Sequence, residues 1–426
     1  MKMYRTKKTY GWKYTAAVLA IAAFVLTLPN AAAAREKKQA KTPAQQQDEK
    51  FLVFDNQKIV WPEPPAIARL RFVTWYTGQK IDYSKFKQKK VKKTWMDRLA
   101  GTTPEEQNNA KIPYQLMRPY GVAVDSKGNI YTADQGVDAI FIFNAETNGV
   151  QLIRNGHEAH FGLMDGLAID DNDWLFVTDS QLHEVQVFNA QHKFVTAFGS
   201  RVLTRPGGIA IDTNNRFIYV VDTGNDVVDV FDADSYKLLR HIGVAGKKHT
   251  LTAPGTFSLP TQVAVDSDGN VYVTDTLNDR VEIFDADGNF LSTFGQAGDS
   301  PGYFTRPKGI AVDSDGHIWV TDESQSLVQV FNRKGQLLMY LGGQGKYPGQ
   351  FTALYGIAID KNNRVVTSEQ WPGRLQVFRY VTDAEAKVEK ENRAIELKKE
   401  EAASREKKAT PAAPPAAAAP AAPAAK

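Results

Sequence analysis

Twelve acidic residues recur along this chain in six pairs nine or ten residues apart, and paired carboxylates are the raw material of general acid–base catalysis. Asp125, Asp170, Asp212, Asp266, Asp313 and Asp360 each end one apolar run, and Asp134, Asp179, Asp222, Asp275, Asp322 and Glu369 each end the next. Acid and base roles need environments that push two pKa values apart. Here the same acid stands at the same place in every copy, so the pattern points to turn capping through backbone N–H groups. Glu369 alone breaks the aspartate pattern, which suits either a special role or drift in a terminal copy.

Imidazoles are the next candidates. "GHEAHF" sets His157 and His160 three apart, and His183 follows in a loop expected on the same face. Three imidazoles would suit Zn²⁺ or Cu²⁺, but His-x-x-His on an irregular loop has no fixed geometry. No metal is therefore assigned: His157 and His160 stand as candidates for a divalent ion, and no other cofactor is expected. The chain has no cysteine and no Gly-x-Ser-x-Gly, so nucleophilic catalysis has no recognisable motif. The glycine-rich "LGGQGKYPG" (341–349) is not followed by a helix that could present its N-terminus to a phosphate.

Composition bounds the function classes. The 426 residues, 42% of them apolar, can bury a sizeable core. Lys2, Arg5, Lys7, Lys8 and Lys13 precede an apolar run from Thr15 to Leu28 and then Ala32-Ala33-Ala34, so residues 1–34 read as a signal peptide, a retained anchor being the other reading. Without those five cations the 52 basic residues fall to 47 against 48 acids, so the net charge of +4 belongs to targeting. No nucleic-acid partner is expected from a nearly neutral exported chain, nor a transmembrane span after cleavage. The basic, aromatic-interleaved stretch at 80–98 reads as a solvated linker.

The acids belong to elements that must be repeated with them. Six units begin at residues 121, 166, 208, 262, 309 and 356, and their first acids are 45, 42, 54, 47 and 47 residues apart. A period in the forties with four strands per unit is the signature of propeller blades. "NVYVTD" and "RVEIFD" alternate β-branched or aromatic residues as a strand covered on both faces requires, and "SDGN" is a hairpin turn. Gly-x-Ala in the first strand marks the crowded axis. The sixth unit lacks a fourth strand, and "ARLRFVTWYTG" (68–78) is the expected donor that closes the ring and removes an exposed edge. "IVWPEPP" (59–65) is too proline-rich for a central strand.

The repeated "GIAVDxxGNIYVTD…VxVF…FG" resembles the NHL repeat, and residues 118–381 look like an NHL propeller of the exported bacterial type. The resemblance implies an all-β fold: a six-bladed β-propeller of four-stranded antiparallel blades, closed by an N-terminal strand. Related propellers include RNA binders, protein-binding modules and metal-dependent lyases, so it leaves function open. Amidating lyases of related fold hold zinc by histidines from different blades, and His241 and His317 fall where that pattern does not carry over. Around the propeller the reading places a flexible segment at 35–50, an N-terminal segment at 51–117 holding strand 68–78 and the linker, a charged helix at 382–408 supported by Glu389/Arg393 and Glu401/Arg405, and an Ala/Pro-rich disordered tail at 409–426.

What varies between units lies at the channel mouth. Residues just before each inner strand (Tyr120, Asp165, Thr261, Lys308, Tyr355) and just after each second strand (Gln135, Ser180, Thr223, Thr276, Glu323, Gln370) are expected on one face, with His183, Trp371 and Arg374 nearby. Variable side chains on a rigid ring are how such a scaffold specialises. The expectation is a non-catalytic protein- or ligand-binding scaffold of the cell envelope, periplasmic or extracellular, with an extracytoplasmic protein partner. The ligand-binding candidates are Tyr120, Gln135, Asp165, His183, Lys308, Glu323, Tyr355, Gln370 and Trp371. The alternative is a metal-dependent lyase or lactonase with its site at the mouth.

Overall fold

The computed structural model describes residues 59–79, 113–147, 149–156, 158–244 and 253–409. All lie in the compact unit Asp55–Lys426. The signal segment, residues 35–50, the basic stretch 80–98, His157 and residues 410–426 fall outside the described residues.

Blade one consists of Pro119–Val124, Ile130–Asp134, Ala139–Phe143 and Val150–Arg154, each strand antiparallel to the next. Five more blades repeat this order, with inner strands Met164–Ile169, Pro206–Asp212, Pro260–Val265, Pro307–Val312 and Leu354–Ile359. Second strands such as Val271–Asp275 and Ile318–Asp322 are buried throughout, as their two-faced apolar pattern requires. Each inner strand neighbours those of the two adjacent blades, so six blades complete one ring.

The glycines of the inner strands set the blade spacing. A Cβ on Gly121 would lie 2.5 Å from the Asp165 carbonyl oxygen, and one on Gly356 2.6 Å from that of Tyr120. Only a residue without a side chain lets neighbouring backbones come this close. Outward from these contacts the core is six apolar clusters, each shared by two adjacent blades.

Ring closure follows the expected strand. Leu70–Tyr76 lies antiparallel to Arg374–Tyr380, with Leu70 opposite Tyr380 and Phe72 opposite Phe378. The two phenyl rings meet edge to face at 5.8 Å, and Leu70 and Phe72 are buried in the cluster shared by blades five and six. "IVWPEPP" contributes more than the sequence suggested: Val60–Trp61 pairs outside Leu70–Tyr76 as a two-residue edge strand, making blade six five-stranded.

The C-terminal helix, α1 (Asp383–Ala409), starts from a capping box. The Thr382 N–H donates to Glu385 Oε2 at 2.9 Å, and the Glu385 N–H donates back to the Thr382 hydroxyl at 3.3 Å. Its first turns bind the ring-closing segment: Asp383 pairs with Arg69, Glu389 with Arg71 at 2.9 Å, and Arg393 donates to the Pro65 carbonyl at 2.7 Å. Glu389 and Arg393 thus dock the helix instead of supporting each other along it. No described helix is long and apolar enough to cross a membrane.

Candidate functional site: the channel mouth

The two sets of expected mouth positions share one face because backbone bonds tie them together in every blade. Gln135 N–H donates to Arg118 O, Ser180 to Leu163, Thr223 to Arg205, Glu323 to Arg306 and Gln370 to Ala353, at 2.9–3.1 Å; in blade four Leu277, donating to Ser258 at 3.0 Å, takes the place expected for Thr276, which is buried and bonds Thr261 and the Pro307 carbonyl. Beneath each pair sits one of the repeated acids. Asp134 accepts from the N–H groups of Met117, Arg118, Gly136 and Val137; Asp179 does the same for Gly162, Leu163, Gln181 and Leu182. The other set locks the hairpins on the opposite side: Asp266 accepts from Asp268 N–H, Asn270 N–H and the Tyr272 hydroxyl. The acids that first suggested chemistry are consumed by the scaffold.

Glu369 keeps this role with a longer reach. It receives Thr352 N–H, Gln376 Nε2 and the Arg374 guanidinium, which also donates to the Lys346 and Gln350 carbonyls. Arg374 is buried, so its expected place on a recognition surface is corrected: it clamps a loop. Blade four carries an equivalent clamp, Arg280 with Asp275 and Glu282.

The second residue of each inner strand forms the mouth ring: Tyr120, Asp165, Gly207, Thr261, Lys308 and Tyr355 in blade order. Hydroxyls from second strands hold several of them by their carbonyls, Thr274 bonding Lys308 at 2.9 Å and Thr321 bonding Tyr355 at 2.7 Å. Four ring residues come together. Tyr355 donates its hydroxyl to Asp165 Oδ1 at 2.9 Å, its ring packs on that of Tyr120 at 4.6 Å, and the Lys308 ammonium lies 5.8 Å from its centroid. Burial pushes the Asp165 carboxyl up to about 6, against the Tyr355 hydrogen bond and the charges of Lys308 and Arg205. Burial and the like charge of Arg306 lower Lys308, while Glu323 and Asp165 oppose that shift. Tyr355 is held well above its ordinary value by burial and by the negative charge of Asp165, and so remains a neutral donor.

The remaining candidates lie on this face without joining the cluster. Gln135 Nε2 donates to the Met164 carbonyl at 2.6 Å, bracing the strand that carries Asp165. His183 Nδ1 lies 2.6 Å from the Thr204 carbonyl oxygen, and Glu323 pairs with Arg306 at 3.3 Å. Gln370 is half-buried, and Trp371 is 60% exposed. Exposed His160 has its carbonyl bonded by Gln186, and among the described residues no three His, Asp or Glu side chains converge as a metal site.

Sequence reading passed over four residues here. Arg118, Arg205 and Arg306 each precede an inner-strand proline, in blades one, three and five, so three exposed guanidinium-bearing residues alternate around the rim. The recurring Arg-Pro dipeptide was the available signal. Gly207 was invisible as a site residue because it contributes only space; the mouth is filled on the side of blades five, six, one and two and thinly occupied at blades three and four.

A closed ring of six antiparallel blades, each built on four strands and the sixth carrying a short extra edge strand, defines a six-bladed β-propeller. The family model described as NHL repeat matches residues 257–284 and 304–331, the first three strands of blades four and five with their lead-in loops. The chain thus carries NHL repeats within a six-bladed propeller. A Caenorhabditis elegans protein described as "Probable peptidyl-alpha-hydroxyglycine alpha-amidating lyase" is 26% identical over 181 residues, 38% of this chain and 49% of that one. NHL repeat-containing protein 2 of Bos taurus is 24% identical over 35% of this chain and 26% of its own length. The chain thus spans half or less of these relatives. A structural-genomics protein of unknown function from Bacteroides thetaiotaomicron superposes with a TM-score of 0.51 at 17% identity, covering 62% of this chain and 70% of that one, a likeness of fold.

Proposed function

We propose that the chain is an exported NHL propeller that acts as a non-catalytic binding module, receiving an extracytoplasmic protein partner on its channel-mouth face. The observation that carries this reading is the division of labour between residues. Every repeated acid is engaged in holding loops, whereas the side chains those loops present differ from blade to blade. On that same face Met117, Leu277 and Trp371 stand 59%, 61% and 60% exposed, large apolar groups at the ends of rigid strands. Rigid apolar and aromatic anchors beside Arg are the ingredients of contact hot spots.

The likeness to an amidating lyase raises the enzymatic alternative. A protein-held catalytic metal does not fit the mouth ring, whose six positions offer one carboxylate, two phenols, a threonine, an ammonium and a glycine. Capture of envelope proteins by the purified chain, with and without the paired substitution Leu277→Ser and Trp371→Ala, tests the binding reading. Specific capture that the paired substitution abolishes supports it. Capture unchanged by the pair would move the binding surface elsewhere, and absence of any specific partner would count against the module itself.

A further inference from the structure

We infer that the channel mouth is a carboxylate-binding site whose cation is Lys308, with Arg205 as the reaching group on its rim; this rests on the binding-module reading and names the chemistry of the ligand. Lys308 is only 7% exposed, yet among the described residues its ammonium makes no hydrogen bond and no ion pair. It lies 5.8 Å from the centroid of the Tyr355 ring, whose face offers attraction but no acceptor, and it feels the carboxylates of Glu323 and Asp165 without pairing with either. An ammonium carries three donors; the Lys308 stem is buried while its ammonium keeps access to the channel, so an acceptor arriving there meets a largely desolvated cation. Arg280 and Arg374, the other buried cations among the described residues, are both clamped by carboxylates.

The space for an acceptor lies next to it. Blade three places Gly207 where its neighbours place side chains, and Thr261 in blade four turns its hydroxyl to Thr276. Below them Gln262 closes the floor: a Cβ on Gly208 would lie 1.8 Å from its Oε1. Arg205 opens onto this gap, exposed and without a side-chain partner among the described residues, and its charge is felt by both Asp165 and Lys308. Asp165 faces the same space and would repel a dianion, so the occupant that fits one buried ammonium and one guanidinium is a carboxylate. It comes either from a small molecule or from an acidic side chain of the partner.

Calorimetric titration of the full chain with D-galacturonate against D-galactose, and with hexaglutamate against hexaglutamine peptide, tests the inference. The expected result is that at least one carboxylate probe binds about tenfold or more tightly than its neutral counterpart, with affinity falling as salt rises. Lys308→Met is expected to abolish that preference without lowering the melting temperature, Lys308→Arg to keep part of it, and Arg205→Gln to weaken it several-fold. Galacturonate binding assigns the site to a small molecule; binding of hexaglutamate alone assigns it to a protein side chain. Equal affinity for charged and neutral probes, an unchanged preference in Lys308→Met, or no binding to the folded protein would each overturn the inference. If no carboxylate binds while partner capture still depends on Leu277 and Trp371, the carboxylate site falls and the binding module stands.

Discussion

The hydroxyl of Tyr355 in blade six reaches past blade one to donate to Asp165 Oδ1 in blade two, 2.9 Å away. One bond thereby ties together residues 190 positions apart and fixes two of the six mouth positions. Tyr355→Phe removes the donor while keeping the ring against Tyr120. Asp165, losing the hydrogen bond that opposes its burial, is expected to titrate above 6, read by NMR of its carboxyl carbon. Stability at pH 7 is expected to fall by about 1–3 kcal/mol, the cost of stranding a buried acceptor.

Asp165 also gives the fold a pH dependence of known sign. Its folded value of about 6 lies above the ordinary 3.8, so the folded state holds this proton more tightly than the unfolded chain does. The contribution is fully present below pH 4 and is lost as pH rises through 6. Partial access to channel water limits it to about 1–2 kcal/mol. Denaturant unfolding at pH 4.5 and 7.5 is expected to show Asp165→Asn losing less stability across that interval than wild type. Equal losses would mean that Asp165 titrates as an exposed carboxylate.

Two classes of ion pair are expected to separate cleanly. Arg71 and Glu389 pair at 2.9 Å with both side chains 42% exposed, so Glu389→Gln is expected to change stability by less than about 1 kcal/mol. Arg374 and Glu369 are almost wholly buried, and Arg374→Met strands a carboxylate and two loop carbonyls. That substitution is expected to cost about 3–5 kcal/mol by thermal or denaturant unfolding.

Closure of the ring rests on Phe72 and Leu70. Phe72→Ala is expected to cost about 3–5 kcal/mol and to raise amide exchange first in Leu70–Tyr76 and Arg374–Tyr380. Asp222→Ala, which frees the N–H groups of Thr204, Arg205 and Gly224 on the mouth side of blade three, is expected to cost about 2–4 kcal/mol and to loosen Arg205.

The ring was legible because its physics is local and repeated. Turn glycines, two-faced strands and capping acids recur with each unit, and the missing fourth strand announced the need for Leu70–Tyr76. The mouth was legible in outline, since strand order alone puts Tyr120, Asp165, Lys308 and Tyr355 at one end. Its partnerships were not. Three inner strands separate Tyr355 from Asp165 in sequence while only blade one lies between them in space, and Lys308 is notable for contacts it lacks. Arg374 was misjudged for the same reason: a base five residues from its acid on a hairpin looks exposed until neighbouring loops cover it.

Site-specific photo-crosslinking tests the account most directly. A photoreactive residue replaces Leu277 or Trp371 at the mouth, Ser267 or Lys361 in the hairpin turns of the opposite side, or Phe290 on an outer strand. A binding surface at the mouth predicts covalent capture of one extracytoplasmic protein from the mouth positions and none from the others. Capture from the opposite turns or the outer strand, with none from the mouth, would contradict it.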